Sequence, residues 1–123
     1  MLIRVGIADD EDLVRDGIAA LLASRTGLIV VSTVSTAAEA IELAGSGAID
    51  VLLLDVQLGG RGGIDALEEI VRRTSNHGES PVRVIMVSSM PEEEYGIRAI
   101  RAGASGYIPK ASEPGLLEEA VRS

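Results

Sequence analysis

Asp9 and Asp10 stand directly after the apolar run 2–8, and Asp55 stands directly after Val51, Leu52, Leu53 and Leu54. A carboxylate that ends a β-branched or leucine-rich strand lies at the carboxyl edge of a sheet, which in open α/β sheets is where ligands bind. Three carboxylates gathered there repel one another unless a cation joins them, so the pattern calls for a hard divalent metal. Two further apolar runs end on chemistry of their own, one at Ser88 and Ser89 and one at Lys110. Taken singly, each residue has an ordinary use: an aspartate caps a helix or satisfies loop amides, a serine starts a turn, a lysine sits in water. Taken together, acids, hydroxyl and lysine at the ends of four strands that meet in a doubly wound sheet form a site.

The elements that must position these residues alternate along the chain. Runs at 2–8, 28–34, 51–54, 82–87 and 106–108 read as strands. Leu13, Val14, Gly17, Ile18, Leu21 and Leu22 recur at helical spacing and predict a first helix that stops near 24–27. Thr36 followed by Glu39 is a capping-box pattern for a second helix, with Ile41 and Ala44 buried and a close at 45–47. Ile64, Leu67, Ile70 and Val71 stripe a third helix after a glycine-rich loop at 59–63, and 74–80 reads as a surface connection. Pro91 with Glu92, Glu93 and Glu94 marks the start of a fourth helix, where acids favour the positive end of the dipole. A fifth helix runs over 112–123. Strand 51–54 is apolar at every position, as expected of a central strand buried on both faces. Such alternation implies right-handed crossovers and a parallel sheet covered by helices on both sides.

Composition narrows the function classes. The 123 residues suit one domain, 46% of them are hydrophobic, and aromatics are limited to two tyrosines, so the core is Leu, Ile, Val and Ala. A net charge of −8 argues against this segment gripping nucleic acid itself, because phosphate binding needs a basic face. No apolar stretch approaches a membrane span, and no basic-then-apolar leader pattern opens the chain. The lack of cysteine removes disulfides and thiolate metal sites and is compatible with the cytoplasm.

Four motifs in order carry a resemblance over the whole length. They are Ile7-Ala8-Asp9-Asp10-Glu11, Leu53-Leu54-Asp55-Val56, Val87-Ser88-Ser89, and Gly103-Ala104-Ser105-Gly106-Tyr107-Ile108-Pro109-Lys110. With them the chain resembles a response-regulator receiver domain of two-component signalling, of the NarL/FixJ-like kind found ahead of helix-turn-helix output domains. The resemblance implies a flavodoxin-like (βα)5 fold, a doubly wound five-stranded parallel sheet in the order 2-1-3-4-5. It also implies a single receiver domain over 1–123. The last helix stops without a glycine cap or polar tail, and we expect the domain to be part of a longer chain carrying a C-terminal DNA-binding domain.

Roles follow from the resemblance residue by residue. Asp55 is the implied phosphoacceptor, a carboxylate nucleophile toward a phosphohistidine. Asp9 and Asp10 would hold Mg²⁺, Asp10 more directly, with Asp55 and the backbone carbonyl of Gln57 as the other protein ligands. Lys110 would pair with a phosphoryl oxygen and Ser88 would donate its hydroxyl to another. Ser88 and Tyr107 would form the switch, relaying phosphorylation to a surface of helix four, strand five and helix five. Beyond self-phosphorylation and self-dephosphorylation, no enzymatic activity is implied. The implied partners are a sensor histidine kinase and a second copy in a phosphorylation-dependent homodimer. DNA would be met only through the output domain, a membrane not at all, and the location would be cytoplasmic.

Departures from the family pattern matter as well. Gly59 stands where receivers commonly have proline, which predicts a flexible loop, and Ala111 rather than proline follows Lys110. By the same resemblance, Gln57 and Met90 would occupy the positions that tune phosphoryl lifetime in receivers. His77, the only histidine, reads as a surface residue. Two rival functions are weighed. A phosphatase with an aspartyl-phosphate intermediate needs a second acid where Gln57 stands, and a phosphorylation-independent interaction domain has no use for the intact set Asp10, Asp55, Ser88 and Lys110.

Overall fold

Four runs rich in Val, Ile and Leu and a short Gly-Tyr-Ile-Pro run form the strands of one sheet in a computed structural model that describes residues 2–58, 61–75, 82–89, 92–110 and 114–123. They are β1 (Ile3–Ala8), β2 (Leu28–Val34), β3 (Val51–Asp55), β4 (Arg83–Ser88) and β5 (Gly106–Pro109). The order is β2-β1-β3-β4-β5 and every pairing is parallel. Parallel neighbours cannot be joined by a tight turn, so a helix returns the chain each time. These helices are α1 (Asp12–Ala23), α2 (Ala37–Ala44), α3 (Gly63–Ser75), α4 (Glu92–Ala102) and α5 (Pro114–Arg122). The expected doubly wound fold is the one observed.

Strand alternation divides the core in two. Leu52 and Leu54 of β3, with Val84 and Met86 of β4, face the side covered by α2, α3 and α4, where Ala40, Ile41, Leu67, Ile70 and Ala99 are buried. Val51 and Leu53, with Val5, Ile7, Ile85 and Val87, face the side covered by α1 and α5 and pack with Leu22, Leu117 and Val121. All five residues of β3 are buried, which is why its sequence has no polar alternation.

Local signals set the ends of the elements. The Thr36 hydroxyl accepts from the Glu39 amide at 3.2 Å, as a capping box requires. The Glu39 carboxylate returns to the Ser35 amide at 3.3 Å, one residue earlier than in the standard pairing. Gly103 follows α4 with φ +113°, a conformation that disfavours side chains, and a Cβ there would meet Val71 Cγ2 at 2.8 Å.

The structure departs from expectation around 57–63. Instead of a plain loop, Gln57 and Leu58 pair antiparallel with Gly62 and Arg61. The Gly63 amide then donates to the Val56 carbonyl at 2.6 Å, and α3 begins one residue before its apolar stripe. This short ladder satisfies backbone groups that a bare loop would leave to water. The expectations for Gly59, His77, Met90, Pro91 and Ala111 lie outside the described residues. Among the described residues no helix is long and apolar enough to cross a membrane.

Candidate functional site

The sheet order creates the site. From β1 the chain goes outward to β2 and then crosses back to β3. The segments leaving β1 and β3 therefore diverge, and a crevice opens between their carboxyl ends. Register places Ala8 beside both Val34 and Leu54, Asp55 beside Val87, and Ser88 beside Pro109. The residues just past these rungs are Asp9 and Lys110, so acids, hydroxyl and lysine arrive on one edge.

Two aspartates are held there in the same way. Asp9 and Asp55 are only 2% and 3% exposed. One oxygen of each accepts from a backbone amide two residues on, Glu11 at 2.8 Å for Asp9 and Gln57 at 3.1 Å for Asp55. The other oxygen of each lies 3.1 Å from the Lys110 ammonium. These Asx-type turns fix both carboxylates before any ligand arrives. Further anchors come from the Asp9 amide, which donates to the Val34 carbonyl at 3.1 Å, and from Arg15, which donates to the Asp9 carbonyl at 3.2 Å. The Lys110 amide donates to the Ser88 carbonyl at 2.8 Å, tying the lysine to the end of β4.

Charge in the crevice is not balanced. Burial pushes the Asp55 carboxyl up to about 6; the Gln57 amide opposes this, Asp9 adds to it, and Lys110 opposes it. Burial also works against the Lys110 charge, yet its contacts to the carboxylates of Glu11, Asp9 and Asp55 prevail and hold it above the usual lysine range. One ammonium faces three carboxylates. Oxygens of Asp9, Glu11 and Asp55 lie within 4.8 Å of one another, all of them hard donors. Such a set, with Asp9 and Asp55 buried and positive charge in short supply, fits a hard divalent cation.

The site residues named from the sequence are distributed unevenly. Asp9, Asp55 and Lys110 are brought into contact. Ser88 is buried as the last residue of β4. Asp10 is exposed and is not one of the three acids whose oxygens converge. Gln57 is exposed and meets Asp55 through its amide. Tyr107 is half-buried beside Met86 and packs on the α2–α3–α4 side of the core. Glu11 was given no role from the sequence, yet its carboxylate lies 2.6 Å from the Lys110 ammonium. The available signal was an acid directly after the aspartate pair, and an exposed acid at a helix start rarely needs a further explanation.

A family model for the response regulator receiver domain matches residues 5–122. The chain belongs to the response-regulator receiver family. Response regulator UvrY of Escherichia coli K12 is 34% identical over 122 residues, covering 99% of this chain and 54% of that protein. Response regulator GacA of Pseudomonas viridiflava is 35% identical over 121 residues, covering 98% and 54%. The receiver thus spans about half the length of the curated relatives it matches. A LuxR-family two-component response regulator from Aurantimonas sp. SI85-9A1 superposes with a TM-score of 0.89 at 30% identity, over 99% of this chain and 84% of that one. The receiver is a signalling module of two-component systems rather than an enzyme of the usual kind, and its acidic crevice lies at the carboxyl edge of the sheet, as the fold requires.

Proposed function

We propose that this receiver accepts a phosphoryl group on Asp55 from a sensor histidine kinase and relays the event to an output domain of DNA-binding type. The observation that carries the reading is the state of Asp55: buried, short of compensating charge, and 3.1 Å from the Lys110 ammonium. An Asp55 oxygen attacks the phosphorus of a phosphohistidine. An O–P bond forms, the P–N bond breaks, and the imidazole leaves with the electron pair and takes a proton from solvent. The burial that lifts the Asp55 pKa also makes its carboxylate the less solvated and better-positioned nucleophile. Lys110 then pairs with a phosphoryl oxygen, and Ser88 donates to another. Gln57 keeps the unreacting Asp55 oxygen on its amide, so the nucleophile does not rotate away.

Mg²⁺ would be held by Asp9, Asp10, Asp55 and the Gln57 carbonyl, and supplies positive charge against the incoming phosphoryl oxygens. Asp9 and Asp55 belong to the group of acids whose oxygens converge, and hard oxygen donors of that kind support Mg²⁺. Self-dephosphorylation returns the switch, with water attacking the phosphorus and Asp55 leaving as a carboxylate. Ser88 and Tyr107 form the relay. Movement of the buried hydroxyl toward the phosphoryl group is the differential contact that lets phosphorylation shift the α4, β5 and α5 surface. That surface serves a phosphorylation-dependent homodimer and, in the cytoplasm, control of a DNA-binding domain on the same chain.

Acetyl phosphate with Mg²⁺ tests the chemistry directly. One phosphoryl group is expected per chain by intact mass. Asp55→Asn removes it, because an amide is no nucleophile here. Undiminished labelling of that variant would take the role away from Asp55.

A further inference from the structure

The Lys110 ammonium has three N–H bonds and three carboxylate partners: Glu11 at 2.6 Å, Asp9 at 3.1 Å and Asp55 at 3.1 Å. Glu11 and Asp55 accept hydrogen bonds from it and Asp9 adds an ion pair. A lysine held in this way must loosen a partner to turn toward a phosphoryl oxygen. Asp9 and Asp55 are fixed by backbone amides and sealed from solvent. Glu11 is different. Its side chain is 57% exposed, so water takes over its solvation as the contact breaks.

A second observation concerns the position itself. Glu11 is the N-cap residue of α1, with extended backbone (φ −92°, ψ 105°), and its side chain makes no capping bond. Ser, Thr, Asp or Asn are the residues that stabilise such a position. Glutamate forgoes that cap and instead reaches across the crevice to a lysine 99 positions away in sequence.

We propose that Glu11 is a positioning residue that holds Lys110 in the unphosphorylated receiver and releases it to the phosphoryl group. The proposal rests on the phosphoacceptor reading of Asp55. Glu11 acts as a brake. It keeps the ammonium over the mouth of the crevice and must be displaced on the way to the transition state, so it slows phosphorylation without touching the reacting atoms. Asp12, the next residue, is 84% exposed and pairs with Arg15 at 2.8 Å, which makes it a control for charge alone.

Glu11→Gln and Asp12→Asn each remove one negative charge near the site. With acetyl phosphate and Mg²⁺, Glu11→Gln should raise the labelling rate about three- to tenfold, the scale of a partly exposed ion pair. Asp12→Asn should leave the rate within about twofold of wild type. In metal-free protein, NMR of the Lys110 side-chain ammonium should shift in Glu11→Gln and stay in place in Asp12→Asn. An unchanged or slower rate in Glu11→Gln, equal acceleration by Asp12→Asn, or an unmoved Lys110 resonance would each overturn the proposal. Absence of any labelling in wild type would instead remove the phosphoacceptor reading beneath it.

Discussion

Asp55 illustrates how a reactive residue weakens the fold that holds it. Its folded-state pKa of about 6 lies above the value of 3.8 for an unperturbed aspartate. This is opposite to the usual salt-bridged carboxylate, so the sign of the pH effect is reversed. Between those two values the folded protein binds more protons than the unfolded chain, and stability falls as pH rises. Above about pH 6 the loss is complete. In chelator, the wild-type urea midpoint should therefore decline from pH 4 to pH 6.5 more steeply than that of Asp55→Asn. At pH 7.5 the variant should be the more stable protein. A less stable Asp55→Asn at that pH would mean that Lys110 neutralises the site more fully than the geometry suggests. At this scale the sequence exposed Asp9, Asp55, Ser88 and Lys110, because each ends an apolar run and strand ends converge in such a sheet. Glu11 stayed hidden. Its partner is remote in sequence, and nothing local separates it from an ordinary helix-start acid. Asp10 shared the motif with Asp9 but not its burial, since successive residues leaving a strand point to opposite sides.

At the scale of elements, the joint between β3 and α3 carries the tightest constraint near the site. A Cβ on Gly63 would run into the carbonyl oxygen of Asp55, and Gly63 itself bonds Val56. Backbone cannot move aside as the end of a side chain can, so Gly63→Ala should cost about 2–4 kcal/mol. It should also slow labelling by displacing the nucleophile. Gly17 in α1 has open space around it, and Gly17→Ala should stabilise by about 0.5–1 kcal/mol. Denaturant midpoints of the two variants moving in the same direction would contradict this reading of the joint. The five strands and five helices were legible because periodicity changes from all-apolar runs to helical stripes. Edges were less so. Ser88 joins β4 because its rung to Pro109 continues the ladder, a fact of pairing rather than of residue type. The ladder of 57–58 with 61–62 has neither alternation nor β-branched residues to announce it.

Across the whole molecule, the strands are not equally secured. β3 lies between β1 and β4, and both of its faces are covered. β5 is an edge strand of four partly buried residues, and Lys110 follows it directly. Amide hydrogen exchange should reflect this, with Leu53 and Leu54 exchanging only on global unfolding and Ile108 and Lys110 at least roughly tenfold less protected. Equal protection across β3 and β5 would show a sheet that opens as one unit. Unequal protection has a consequence for time as well as stability. Each brief opening of β5 lifts the ammonium from Asp9 and Asp55 while both acids stay anchored to the slowest-exchanging strands. The resting receiver would then spend a small, measurable fraction of its life with a bare acidic crevice, and a cation could enter during those intervals without unfolding anything else.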